Sequence, residues 1–121
     1  MKNFTLLFFT LFVSSCAVNQ DTEYLNSDEK VYLKVATNTT EEELVNIAAE
    51  LLAERNITKD FQGSEFDDNG KLVNLDLKVD FNDGNTGSTQ AEKTALMMNK
   101  FGFIRDYSGD SKKPIKIGTV N

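Results

Sequence analysis

The sequence predicts an α+β fold: a ferredoxin-like βαββαβ sandwich, with one mainly antiparallel sheet, helices on one face, and a cleaved signal peptide in front of it. Three observations carry that prediction. Between Thr40 and Arg55 apolar residues recur at helical spacing. Between Val73 and Phe81 they alternate with polar ones, the pattern of a strand with one buried face. Between these stretches lies Asp67-Asp68-Asn69-Gly70, and Asn-Gly between strand-like runs is the strongest short hairpin signal.

The chain of 121 residues has room for one domain, and its 40% apolar content with a single proline fits an ordered globular protein. A formal net charge of -6 argues against nucleic acid as a partner, because nucleic-acid binders carry basic patches that neutralise phosphates. The same charge disfavours adsorption onto anionic lipid.

The amino terminus has its own logic. Met1-Lys2-Asn3 is a short basic start, and Phe4 to Val13 is an apolar run of ten residues, too short for the about 20 that span a bilayer. It reads as the apolar part of a secretory signal. Val13-Ser14-Ser15-Cys16 then resembles the lipobox of bacterial lipoproteins, an aliphatic residue and two small ones before a modified cysteine. That resemblance implies cleavage between Ser15 and Cys16, a diacylglycerol thioether on Cys16 and an acylated amino group. Two or three acyl chains anchor stably where one does not. Cys16 is the only cysteine, so it has no intramolecular disulfide partner. The alternative is an ordinary signal peptide cut near Ala17. Ala17, rather than aspartate, after the cysteine points to the outer membrane, facing the periplasm. The expected organisation is therefore a signal peptide over 1–15, a lipidated flexible tether over 16–29, and a small α+β domain over 30–121.

Within the domain, Val31, Leu33 and Val35 alternate with Tyr32 and Lys34 and predict the first strand. In the helix that follows, Leu44, Ile47, Ala48, Leu51 and Leu52 share one face. Thr40 and Glu43 have capping-box spacing, Glu41, Glu42 and Glu43 suit the positive pole of the helix dipole, and Asn56 suits a left-handed cap. The next strand is expected from Ile57 to about Phe66, with a bulge near Gly63 bringing Phe61 and Phe66 to one face. Its partner has Val73, Leu75, Leu77, Val79 and Phe81 inward. Asn82 to Gly87 reads as a loop. The Thr89 and Glu92 spacing, with Ala91, Ala95 and Met98 on one face, predicts a second helix over Thr89 to Lys100. Phe101 to Tyr107 is the fourth strand, Ser108 to Lys113 a polar loop, and Pro114 to Ile117 an extended tail that docks on a sheet edge.

Thr39-Thr40-Glu41-Glu42-Glu43-Leu44, Asn56-Ile57, Asp68-Asn69-Gly70-Lys71-Leu72 and Lys113-Pro114-Ile115-Lys116-Ile117-Gly118 together resemble an uncharacterised domain recurrent in flavobacteria-type proteins. In that family it forms the C-terminal part of antibiotic-sensor-type membrane metallopeptidases and also occurs in small exported proteins. The resemblance covers about residues 30–118. This chain has Asn56 where the family usually has glycine, and it has no peptidase part, so the resemblance implies no protease activity.

The chemistry on offer is sparse. Histidine is absent, which removes Ser-His and Cys-His dyads, HExxH zinc sites and the usual general base. Gly84-Asn85-Thr86-Gly87 lacks the lysine and spacing of a phosphate loop. Glu65, Asp67, Asn69 and Asp76 approximate a calcium loop, but Glu at its start and Asp at its end depart from the ligand set, and a strand stands where the exiting helix belongs. Asp106, Ser108 and Asp110 are a second weak cation pattern. No catalytic residue, metal site or cofactor is therefore predicted. Met97, Met98, Phe101 and Phe103 form a candidate contact for a partner, with packing in the core as the competing reading. The expected function is a lipid-anchored cell-envelope protein, not an enzyme, whose domain binds another envelope protein. The alternatives are a small-molecule or ion carrier and, more distantly, a hydrolase.

Overall fold

A computed structural model describes residues 20–109 and 114–120; the signal segment, Ser15 and Cys16 lie outside that range. Ten elements follow one another: β1 (Glu23–Asn26), β2 (Lys30–Val35), α1 (Glu41–Arg55), β3 (Thr58–Asp60), β4 (Glu65–Phe66), β5 (Leu72–Asp80), β6 (Thr86–Ala91), α2 (Lys93–Met98), β7 (Phe101–Asp106) and β8 (Ile115–Thr119). The class is α+β with antiparallel pairing throughout these strands.

The capping box closes α1 as its sequence requires. The Glu43 N–H donates to Thr40 Oγ1 at 3.2 Å, and the Thr40 N–H donates to Glu43 Oε1 at 3.0 Å. At the far end Asn56 is left-handed, with φ 56° and ψ 34°, and its N–H donates to Leu52 O. The helix buries Leu44 and Leu51 and half-buries Ile47, but Leu52 is 53% exposed. The apolar stripe is narrower than the five residues expected.

The strands form two sheets rather than one. The first has the order β1-β2-β7-β8. In the second, β5 is central, with β3 and β4 in succession along one edge and β6 along the other. A ferredoxin-like sheet would place Val31–Val35 beside Leu75–Phe81 in parallel. Instead that edge of β5 is taken by β6, from a segment expected to be loop and helix. Thr86 to Ala91 alternates in exposure as a strand does, and six consecutive pairs with β5 outweigh the helical spacing of Thr89 and Glu92. The second helix is therefore only Lys93–Met98, capped at Glu92 without a side-chain bond; it buries Leu96 and leaves Met98 exposed.

Two further expectations are corrected by register. Phe61 and Phe66 both pack against the core, but through a turn closed by the Ser64 N–H on Phe61 O, which splits the expected strand into β3 and β4. Opposite β4 the pairing steps from Glu65↔Asn74 to Phe66↔Leu72, so Val73 is the extra residue of a bulge. Leu72, not Val73, is consequently buried. The hairpin turn itself forms: Asp67 Oδ1 accepts the Asn69 and Lys71 N–H groups, and Gly70 has φ 79°.

Both sheets feed one core, where Phe81 and Phe103 meet edge to face with centroids 5.6 Å apart. The residues expected to form a tether are folded from Gln20 onward, since Glu23–Asn26 pairs with Val31–Lys34 as β1. The extended tail docks on β7 as β8, from Ile115 to Thr119.

Candidate functional site

Two surfaces stand out. The first is an open groove of about 360 Å³ on the outward face of β3, β5 and β6, lined by Thr58, Asp60, Lys78, Val79, Asp80, Thr86, Gly87 and Ser88. Because side chains alternate along a strand, the outward residues fall into two cross-strand rows: Thr58, Asp80, Thr86 and Asp60, Lys78, Ser88. One row presents hydroxyl, carboxylate, hydroxyl; the other carboxylate, ammonium, hydroxyl. Adjacent strands are spaced by about 4.8 Å, so these groups suit a polar chain that carries both donors and acceptors. Lys78 and Asp80 were expected to face outward. Thr86 falls in the loop expected over Asn82 to Gly87, and Ser88 between that loop and the helix expected from Thr89, so neither is anticipated on a strand.

The second surface surrounds the point where the described chain begins. Gln20 Nε2 donates to Met97 O at 3.0 Å, the Asn38 N–H donates to Gln20 O at 2.9 Å, and Thr37 Oγ1 donates to Gln20 Oε1 at 2.7 Å. Lys100, only 4% exposed, donates from Nζ to Asp21 O at 2.8 Å and pairs with Glu23. The Lys100 ammonium, through its hydrogen bond first, holds the Glu23 carboxyl below its ordinary pKa. Beside this tie Met97 is 52% and Met98 71% exposed. Of the four residues expected to meet a partner, the structure thus presents these two. Phe103 is fully buried and Phe101 is half-buried against the core, so neither offers a docking surface.

Elsewhere the charged groups serve the fold. Arg105 lies between the rings of Phe81 and Tyr107 and donates from Nη2 to Asp83 Oδ2 at 2.6 Å. Hydrogen bonds from Asn85, then the Arg105 charge, hold the Asp83 carboxyl below its ordinary pKa. Asp106 Oδ1 accepts from the Ser108 N–H and hydroxyl, which lowers its pKa likewise; Asp110 lies outside the described residues. Asp67 is committed to the hairpin turn, and among the described residues no three Asp, Glu, His or Cys side chains cluster to hold a metal. Lys59 points inward between Ile57 and Phe61, its Nζ enclosed without a hydrogen-bond partner, and burial lowers its pKa to about 7. Among the described residues no helix is long and apolar enough to cross a membrane.

Compared with known proteins, the chain matches no protein-family model, no curated protein and no solved structure.

Proposed function

We propose that this is a lipid-anchored cell-envelope protein, held through acylated Cys16 on the periplasmic face of the outer membrane, whose domain binds another envelope protein without catalysis. The observation that carries the binding half is the groove on β3, β5 and β6. It is open to solvent, and its six outward side chains are ordered in two rows, which favours an extended polar segment over an enclosed ligand. The anchoring half rests on Val13-Ser14-Ser15-Cys16, and the resemblance to a domain found in small exported proteins supports the same setting.

A small-molecule carrier is the second reading. The groove volume lies near the lower end of the about 300–1,000 Å³ typical of such sites, but those sites enclose most of the ligand.

Cross-linking and affinity capture from native envelope test the proposal, with the wild type compared with Cys16→Ser and with Lys78→Ala/Asp80→Ala. A protein captured by the wild type and lost from both variants supports it. Capture unaffected by Lys78→Ala/Asp80→Ala removes the groove from the account. An empty capture with correctly lipidated protein, together with a small molecule that competes for labelling of Lys78, favours the carrier.

A further inference from the structure

The folded domain begins very close to the residue expected to carry the lipid. Gln20 is already fixed by three hydrogen bonds, and it is four residues after Cys16. A fully extended chain spans at most about 3.5 Å per residue, so Gln20 stands no more than about 14 Å from a lipidated Cys16. The lipid-linked cysteine lies at the level of the headgroups, and the polar zone between hydrocarbon and water is itself about 6 Å deep on each side. The surface around Gln20 must therefore face the bilayer at short range.

That surface is where Met97 and Met98 are found. Gln20 bonds directly to the Met97 carbonyl, and Met98 is the most exposed of the large apolar residues among those described. Unbranched, polarisable methionine side chains adapt readily to a disordered apolar phase. We infer that Met97 and Met98, at the end of α2, insert into the headgroup region of a zwitterionic phospholipid surface and fix the orientation of the domain on its membrane. The inference rests on the lipid anchor proposed above. Geometry favours lipid over a globular protein here, since a folded domain covering both methionines would have to fit into a gap of at most about 14 Å, little more than the diameter of one helix. Charge specifies the kind of lipid: the acylated chain, from which cleavage removes Lys2, has a net charge of -7 in place of -6 and is repelled by an anionic surface, so insertion rests on apolar contact and changes little with salt. Asn38, bonded to Gln20, puts the start of α1 at this face, and Leu52 lies near the helix's other end. It is twelve residues past the N-cap Thr40, about 18 Å along the helix axis, and is 53% exposed.

Acylation blocks Cys16, so a cysteine introduced elsewhere can be labelled alone. Full-length Met98→Cys and Leu52→Cys proteins, extracted from membranes, labelled with bimane and reconstituted in phosphatidylcholine vesicles, are compared after intact mass has established the state of Cys16. The expected result is several-fold stronger quenching at position 98 by lipid brominated in the acyl chain, and several-fold weaker quenching there by aqueous iodide, than at position 52. Equal iodide access at the two positions in acylated protein overturns the docking and leaves the anchor standing. Shielding of position 98 in native envelope but not in pure lipid assigns the face to a protein and also overturns it. An unacylated Cys16 overturns anchor and docking together.

Discussion

Lys59 places an amine where water cannot reach it, and the consequence is a stability that depends on pH. Burial lowers its pKa from the ordinary 10.5 to about 7, so between these values the unfolded chain holds a proton that the folded one has released. Stability is then fully expressed only at alkaline pH and is lost as pH falls towards 7, with a slope approaching about 1.4 kcal/mol per pH unit. Urea unfolding between pH 7 and 9 should show that rise, and Lys59→Met should remove it and stabilise the protein near pH 7. A flat profile for the wild type would show the amine to be solvated. A second residue-scale prediction concerns Gly102, where β7 passes so close to β2 that an added Cβ would lie 1.9 Å from Leu33 O, at φ 154°. Gly102→Ala should cost about 3 kcal/mol or more, read as a lowered midpoint of unfolding. Neither feature could be foreseen with any force. Ile57, Lys59 and Phe61 alternate inward, but an isolated lysine between apolar residues reads as well as an exposed stem, and closeness between strands is a tertiary fact.

Elements defined by contacts within a few residues were legible. Thr40, Glu43 and Asn56 announced both ends of α1, because caps are chemistry between neighbours in the chain. Thr40→Ala should therefore cost about 1 kcal/mol of stability by thermal or urea unfolding. The width of the helix's buried face was not legible, since spacing says which residues align and not how far the sheet beneath them extends. Leu51→Ala should cost about 2–5 kcal/mol, while Leu52→Ala should stay within about 0.5 kcal/mol; comparable losses would contradict the packing described. The segment from Thr86 to Ala91 shows the opposite failure. Its threonines, serine and glutamine carry a weak periodic signal, and the deciding partner, β5, is brought alongside only by the loop from Phe81 to Asn85. Local capping spacing lost to six cross-strand pairs.

At the scale of the whole molecule, pairing of β6 with β5 divides what was expected to be one sheet into two and leaves the polar face of β3, β5 and β6 as an open groove. The groove's β5 side chains were predictable from alternation; its third column depended on the missed strand. The same folding draws residues 20–26 out of the expected tether and onto the domain, through β1 and the buried Lys100. Lys100→Met should release this segment, seen as faster amide exchange over residues 20–26 while α1 keeps its protection. With those residues docked, the anchor proposed at Cys16 would be separated from the domain by only three residues, Ala17 to Asn19, and would give the molecule a membrane-facing end rather than free tumbling on a leash. The anchor is the premise of that arrangement, and intact mass spectrometry of the protein extracted from its native membrane tests it most directly. The expected species is a chain that begins at Cys16 and carries a diacylglycerol and an amide-linked acyl group. A chain cleaved elsewhere, or one with an unmodified Cys16, would contradict it.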